Sequence, residues 1–371
     1  MRLALRKFVL LFIDILDRIK TIVKEEFYLF FQLKKTERLW HIPLLASLCT
    51  GIPLLLGYFG GRLDYGVLAC IGGLVILYMP STNMEHRMLT LLLCAFGFVI
   101  SFAVGAAFSF DPFLSAVALG LFAFSINWLV RYFALQPPRN FFFIMIASMA
   151  SCMPFDVVAL PTRVGLIALG TIFACILAFF YSLYILRRIP HKAAPVFVRS
   201  ADRFMRIESA IIGTFISLSL LVGHTLHLDN PYWVPISCLA VMQGLNVAHV
   251  GRRSLHRILG TFVGVGLTWI LLAAEPTALH VCIAILILQF VIEMLVVRHY
   301  ALAVIFITPL TFFLAEIGSG FSLDTDLLIT ARLLDIVIGS LIGALGGWML
   351  HNRQLHRLAI VRVSRHRWRK R

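Results

Sequence analysis

Long apolar stretches recur from residue 42 to residue 350, and short polar connections separate them. Each stretch approaches the ~20 residues with which an α-helix crosses the hydrocarbon core of a bilayer. The ten-residue alternation of apolar and polar positions that membrane strands require is not seen, so the pattern predicts helices. Twelve transmembrane spans are predicted, at residues 42–60, 65–80, 88–108, 112–130, 140–155, 163–186, 208–226, 232–247, 258–274, 278–297, 300–317 and 330–350.

Composition and charge agree with an integral membrane protein. Hydrophobic residues make up 60% of the 371 residues and charged residues 14%, where soluble domains carry about 25% charged residues. If the N-terminus is cytoplasmic, every Lys and Arg except Arg62, Arg163 and Arg332 lies on the inner side. This positive-inside pattern predicts cytoplasmic termini. It also explains the net charge of +15 without a nucleic-acid partner.

The polar ends and the middle connection divide the chain. Residues 1–40 place apolar side chains at three- and four-residue spacing, which predicts an amphipathic helix on the inner membrane surface. Residues 187–206 form a cytoplasmic linker between a first unit at 41–186 and a second at 207–351, and residues 352–371 form a basic tail. Anionic inner-leaflet lipids are the expected partners of both basic ends.

The two units repeat one another. "LVRYFAL" at 129–135 returns as "VVRHYAL" at 296–302, and "HRMLTLLLCAFGF" at 86–98 returns as "HRILGTFVGVGLT" at 256–268. Arg163 and Gly170 likewise match Arg332 and Gly339, so all three offsets lie between 167 and 170 residues. Six spans per unit give both units the same orientation. The predicted fold is therefore two parallel six-helix repeats, related by a pseudo-twofold axis along the membrane normal.

The last span of each unit carries charge and small residues on one face. Arg332, Asp335, Gly339 and Gly343 follow one another at three- and four-residue steps, and Arg163 and Gly170 repeat the stripe in the first unit. Intramembrane charges face protein or a wet cavity, and glycines let another helix approach closely. We therefore expect Gly170, Gly339 and Gly343 at helix contacts.

Catalytic chemistry is not indicated. The chain shows neither a Ser-His-Asp order nor a phosphate-binding GxxxxGK[ST] loop, and its seven cysteines lie in or beside apolar spans without CxxC spacing. His224 and His227 have no apparent third metal ligand nearby. We expect a protein that is not an enzyme and that needs no cofactor or metal.

Four motifs of the second unit carry a family resemblance. These are "NPYWVPISCLAVMQ" (230–243), "HRILGTFVGVGL" (256–267), "AVIFITPLTFFLAE" (303–316) and "RLLDIVIGSLIGAL" (332–345). In this order they resemble the fusaric acid resistance and aromatic acid exporter family of bacterial inner-membrane proteins. The resemblance implies proton-driven export of aromatic carboxylic acids and similar organic anions. It also implies an architecture related to the plant aluminium-activated malate transporters.

Five residues are candidates for the substrate pathway. Arg163 and Arg332 are repeat partners at the predicted outer side, where a guanidinium replaces the solvation that a carboxylate loses. The alternative is that both arginines only bind local acids. The other three candidates are Trp233, able to stack on an aromatic ring, Thr308 at a proline in span 11, and Gln243 at the end of the first motif.

Asp335 and Glu293 are the candidates for proton coupling, because each carboxylate lies within an apolar span. For Asp335 the alternative is an intrahelical ion pair with Arg332 that never titrates. Glu293 has no acid-pairing partner within its helix; its neighbour four residues earlier is Gln289.

Four arginines at inner helix ends form a candidate vestibule: Arg87, Arg257, Arg131 and Arg298. They either extend to lipid headgroups as positive-inside anchors or concentrate an anionic substrate. The leading hypothesis is a secondary exporter of organic anions with its pathway between the two units. A passive anion channel of the same architecture and a non-transporting scaffold remain as rivals, and the need for a periplasmic or outer-membrane partner stays open.

Proton dependence separates the exporter from the channel. Neutralising Asp335 or Glu293 removes a titrating site, so we expect the Asp335→Asn or Glu293→Gln variant to lose uphill anion movement under an imposed proton gradient. Flux into proteoliposomes, measured with and without that gradient, checks this. A variant that retains gradient-driven accumulation would exclude the substituted residue from coupling.

Overall fold

The structure is a computed structural model, and it describes residue 36 and residues 38–186, 203–318 and 325–352. Secondary structure in these residues is helical almost throughout. Twelve helices follow one another: α1 (His41–Phe59), α2 (Leu63–Gly73, continued by a 3-10 turn Leu74–Tyr78), α3 (Met84–Ala107), α4 (Pro112–Tyr132), α5 (Phe141–Ser151), α6 (Leu160–Leu186), α7 (Arg203–Thr225), α8 (Trp233–Met242), α9 (Val247–Leu272), α10 (Ala278–Leu295), α11 (Tyr300–Gly318) and α12 (Thr325–His351).

These helices confirm the predicted all-α membrane fold. In the described part of the chain, nine helices are long and apolar enough to cross a membrane, and each of the twelve overlaps one predicted span. The exceptions in length are α2 with its 3-10 turn, α5 and α8. Residues 1–35, most of the linker and the tail from 353 onward lie outside the described residues, so the predictions for those segments stay predictions.

One helix boundary differs clearly from its prediction. The span at 258–274 begins at Val247, so the segment assigned to a connection is two to three turns of helix. Asn246 caps it, because its side chain accepts a hydrogen bond from the backbone N–H of His249 at 2.8 Å. The extra turns carry arginine and histidine, and hydropathy therefore predicts a solvent-exposed connection. In the fold, the basic face of these turns points toward the protein interior.

Corresponding helices make the same contacts in both halves. α3 packs on α5 and α6 and α2 packs on α6; in the second half α9 packs on α11 and α12 and α8 packs on α12. Between halves, α4 packs on α7 and α1 on α10, while α5 meets α8 and α2 meets α11. Each contact has its counterpart when α1 to α6 are exchanged with α7 to α12. The predicted repeat requires this pattern, and the direction of its axis stays a prediction.

Glycines bring the last helix of each half against a short helix. A Cβ at Gly170 of α6 would lie 2.0 Å from the carbonyl oxygen of Ala69 in α2. In the second half, a Cβ at Gly339 or Gly343 of α12 would lie 2.5 Å from a carbonyl oxygen of α8. Only a residue without a side chain permits backbones this close. The stripe that the sequence singled out is thus the contact surface between α6 and α2 and between α12 and α8.

Two apolar clusters close the interface between the halves on either flank. One joins Leu119 and Ala123 of α4 to Ile216 and Leu220 of α7. The other joins α1 and α2 to Ile285 of α10 and to neighbouring residues of α11. Packing is therefore continuous at both flanks, and the space between them is bordered by α2, α5, α8 and α11.

The glycine contacts give a stability prediction. Gly170→Ala places a methyl group against the Ala69 carbonyl, so α6 and α2 must separate at a cost of roughly 1–3 kcal/mol. We expect a clearly lower melting temperature of the purified protein in detergent. Gly165→Ala is the matched control in the same helix, since a Cβ there meets nothing within 4 Å. Equal melting temperatures for the two variants would contradict the close packing of α6 on α2.

Candidate functional site

A cavity of about 1340 Å³ lies between the two halves. It reaches from Pro154 and Asn230 at the predicted outer ends of helices to Pro80 and Arg298 at the predicted inner ends. α2, α5, α8 and α11 all contribute to its wall. Three of these four are the short helices, and helices that stop within a membrane expose backbone polar groups that a protein-lined cavity accommodates.

The charge of the lining is strongly one-sided. Its acidic residue is Glu293, whereas seven arginines line the same space: Arg38, Arg87, Arg252, Arg253, Arg257, Arg298 and Arg332. Three histidines, at 249, 256 and 299, add to this wall. A space with this excess of guanidinium groups attracts anions and repels cations.

Arg332 is the arginine of the outer part of the cavity. Its guanidinium carbon lies 3.4 Å from the centre of the Trp233 ring, which places α12 and α8 in a cation–π contact. The side chain is 4% exposed, and its Nε and Nη1 have no hydrogen-bond partner among the described residues. Both residues were predicted as pathway residues, and the structure brings them together on the cavity wall. A carboxylate in front of Trp233 would meet donors with no other protein acceptor.

Asp335 lies one turn further along α12 but not in the cavity lining. Its side chain is fully buried, and neither carboxylate oxygen has a hydrogen-bond partner in the described part of the chain. Asp335 therefore makes no hydrogen bond to Arg332 there, and the intrahelical ion pair of the two residues stays a prediction. A buried carboxylate without donors loses its hydration and gains no hydrogen bond in return.

The repeat partner Arg163 takes a different position. It is partly buried, donates a hydrogen bond from Nη1 to the backbone carbonyl of Pro154 at 2.9 Å, and does not line the cavity. The structure thus separates Arg163 from Arg332, although the sequence paired them. Both arginines hold equivalent places in the repeat, but only the second half presents its guanidinium to the cavity.

The two remaining pathway candidates are also divided. Gln243 lines the cavity, and its side-chain Nε2 donates to the Pro138 carbonyl at 3.4 Å. Thr308 does not line it: its hydroxyl donates to Val304 within α11, and its side chain packs where Gly264 of α9 leaves room. Thr308 is a packing residue of the α9 and α11 contact.

Arg87 and Arg257 do not extend to lipid headgroups. They are 5% and 4% exposed, so the prediction of surface anchors is wrong for both. Arg87 donates to Ser182 and to the carbonyls of Pro80 and Thr82, which ties the segment before α3 to α6. These bonds use the donors of Arg87 for structure.

Arg257 faces the cavity more directly than Arg87. It donates to the hydroxyls of Ser237 at 3.1 Å and Tyr300 at 3.3 Å, which belong to α8 and α11. Its Nε is buried and has no partner among the described residues. Arg257 therefore donates to two uncharged hydroxyl groups and keeps its Nε available as a donor to a ligand.

The other two vestibule arginines also differ from each other. Arg298 lines the cavity, whereas Arg131 does not and forms an ion pair with Glu208 of α7 across the interface between the halves. Of the predicted vestibule, Arg87, Arg257 and Arg298 line the cavity. Arg131 is placed to stabilise the contact of α4 with α7.

Glu293 has a partner that its own helix does not supply. Its carboxylate lies 2.9 Å from Nη2 of Arg38, and Nη1 of Arg38 donates to the Glu293 backbone carbonyl at 3.2 Å. Gln289 is near the other carboxylate oxygen at 3.5 Å. The pair ties the segment before α1 to the inner end of α10, at the edge of the cavity.

The basic face of α9 is a feature that the sequence reading missed. His249, Arg252, Arg253, His256 and Arg257 all line the cavity. Their spacing of three, four, seven and eight residues from His249 marks one helix face. That spacing could have been found in the sequence, but a hydropathy threshold places these residues in a loop.

The Arg38 and Glu293 pair is open to a double-mutant cycle. We expect a coupling free energy above about 1 kcal/mol between Arg38→Ala and Glu293→Gln, since both side chains are largely buried. The exposed pair Arg62 and Asp64 is the matched control, and its coupling should be much smaller because solvent screens the two charges. Chemical denaturation of the four variants of each cycle measures both values. A coupling near zero for Arg38 and Glu293 would contradict the tether.

Comparison with known proteins agrees with this architecture. Residues 216–346 match the family model described as fusaric acid resistance protein-like. The chain is 23% identical to the uncharacterized membrane protein YvaC of Bacillus subtilis (strain 168), over 91% of this chain and 76% of that protein. No solved structure matches. The matched segment contains α8 to α11 and the charged and glycine-bearing face of α12, so the second half of this multi-pass membrane protein is similar to the fusaric acid resistance protein-like family.

Proposed function

We propose that this protein is a secondary transporter that exports organic anions, aromatic carboxylates among them, across the bacterial inner membrane. The observation that carries the proposal is the cavity between the halves, lined by seven arginines and one acidic residue. An anion entering a membrane protein loses its hydration, and guanidinium groups replace it through paired N–H donors. Cations would meet repulsion in the same space.

The apolar part of the wall supports an amphiphilic substrate. α5 contributes Phe141, Phe142, Met145 and Met149, and α8 contributes Trp233. Aromatic and methionine side chains accommodate flat apolar groups with little geometric demand. An aromatic carboxylate would place its ring against these residues and its charge at an arginine.

Glu293 is the better placed of the two coupling candidates. It lines the cavity and is bonded to Arg38, whereas Asp335 lies behind the lining. Protonation of Glu293 would weaken its bond with Arg38 and leave that guanidinium for an anion. Proton and anion would then bind together, which is what a coupled carrier requires.

A passive anion channel is the rival that shares this cavity. A channel needs the arginine lining but no titrating group, so its flux follows the anion gradient alone. A non-transporting scaffold needs neither, and removing arginines from its cavity would change no flux. The same experiment separates all three.

The structure predicts unequal roles for the two repeat-related arginines. Arg332→Gln removes a charge-assisted donor worth about 1.5–3 kcal/mol, so we expect the initial rate of benzoate efflux to fall at least about tenfold. Arg163→Gln is the matched control, because Arg163 lies outside the lining and the proposal leaves it out of the pathway. Its rate should stay within about twofold of wild type. Labelled benzoate in proteoliposomes, with and without an imposed proton gradient, provides the measurement.

Each result has a distinct meaning. Gradient-dependent efflux that is lost in Arg332→Gln and kept in Arg163→Gln supports a coupled exporter with Arg332 on its path. Flux that ignores the gradient favours the channel. Equal losses in both variants, or no flux by the wild type, would contradict the proposed pathway.

A further inference from the structure

A second cationic region lies on the predicted inner side of Arg332 in the same cavity. It consists of the basic face of α9 together with two residues of the connection from α10 to α11. We name it the inner basic cluster, and its members are His249, Arg252, Arg253, His256, Arg257, Arg298 and His299. Four arginines thus converge at the predicted inner end of one cavity.

Neighbouring aromatic groups hold the cluster in place. The guanidinium carbon of Arg253 lies 4.4 Å from the centre of the Tyr300 ring, and Arg257 donates to the hydroxyl of the same tyrosine. The rings of His256 and His299 stack with their centres 5.8 Å apart. Because α9 and the start of α11 fix these side chains together, the guanidinium groups are organised before any ligand arrives.

Among the described residues that line the cavity, one carboxylate faces this excess of positive charge. Glu293 is the carboxylate of the lining, and Arg38 already binds it. The Nε atoms of Arg253, Arg257 and Arg298 are buried and have no hydrogen-bond partner within the described residues. Buried donors on adjacent guanidinium groups are the arrangement that binds several anionic oxygens at once.

Comparison with the first half shows that the helix packing does not need the three basic residues at the start of α9. At an offset of 170 residues, Met79, Thr82 and Asn83 correspond to His249, Arg252 and Arg253. α3 packs on α5 and α6 as α9 packs on α11 and α12, yet α3 begins at Met84 and lacks the extra basic turns. The first half has His86, Arg87 and Arg131 where the cluster has His256, Arg257 and Arg298, but it builds the same helix packing with Met79, Thr82 and Asn83. Packing alone therefore does not account for His249, Arg252 and Arg253.

We propose that the inner basic cluster is an anion subsite for ligands that carry at least two carboxylates, such as benzene dicarboxylates. This proposal rests on the proposed function and extends it to a substrate class. A single carboxylate binds one guanidinium group, and the neighbouring guanidinium groups continue to repel one another. A second carboxylate on the same ligand reaches a second arginine, and both like-charge repulsion and unused donors decrease.

The test compares benzoate with phthalate, which adds one carboxylate to the same ring. The purified full-length protein is placed in nanodiscs of phosphatidylcholine, and isothermal titration calorimetry near neutral pH measures both affinities. We expect wild type to bind phthalate at least about tenfold more tightly, because each further charge-assisted hydrogen bond adds about that factor. Arg253→Gln should weaken phthalate binding about tenfold and change benzoate binding less than about twofold.

Two further variants separate binding from folding and from net charge. Arg253→Lys keeps the charge and should retain most of the preference for phthalate. Arg206→Gln is the matched control. Arg206 is exposed near the start of α7, on the same predicted inner side as the cluster, and it does not line the cavity. It should leave both affinities unchanged. Size-exclusion elution confirms that each variant is folded.

The outcomes distinguish this subsite from the transporter itself. Equal affinities for the two ligands, with Arg253→Gln without effect, would overturn the subsite and leave the proposed function standing. Binding of neither anion by the wild type would overturn both. Titration of phthalate into nanodiscs that contain phosphatidylglycerol tests whether an anionic lipid headgroup competes for the cluster. Unchanged phthalate affinity supports a soluble ligand, and its loss would assign the cluster to a lipid headgroup.

Discussion

Charge inside a membrane is the constraint on which this architecture depends. Transferring a guanidinium into hydrocarbon is costly, so the arginines must meet either protein acceptors or a shared polar space. Arg87 meets protein acceptors and is satisfied by Ser182 and two carbonyls. Arg257 and Arg332 lie on the cavity wall with donors that no acceptor among the described residues uses. The cavity between the halves exists at the place where these charges converge.

The short helices follow from the same constraint. α5 and α8 end well before the length of a full crossing, and their ends expose backbone groups that lipid cannot satisfy. The long helices α6 and α12 lie behind the short helices α2 and α8, and the glycine contacts at Gly170 and Gly339 fix their distance. Long helices thus shield short ones from lipid. The short helices in turn bring Trp233 and neighbouring apolar residues to the cavity wall.

The two halves share a frame and differ in chemistry. Corresponding helices make corresponding contacts, so either half supplies the same walls. The second half adds Trp233 beneath Arg332, the buried Asp335, and the basic face of α9; the first half has Leu166 in place of Asp335 and uncharged residues before α3. The charged residues are concentrated in the second half, and the family match falls on that half.

Hydropathy and spacing by themselves predicted the membrane helices of the described residues and the glycine faces, and four ordered motifs indicated the family resemblance. These features depend on residues that are close in the chain: the length of an apolar stretch defines a span, and residue spacing within one helix defines the glycine face. Contacts between distant residues were decided only by the tertiary structure. Arg38 lies 255 positions from the glutamate it binds, and nothing near Arg163 or Arg332 in the chain tells which of them faces the cavity. The basic turns of α9 were missed for the same reason. A hydropathy profile assigns charged residues to solvent-exposed loops, and only the packing of the helices shows that these residues line a cavity inside the protein.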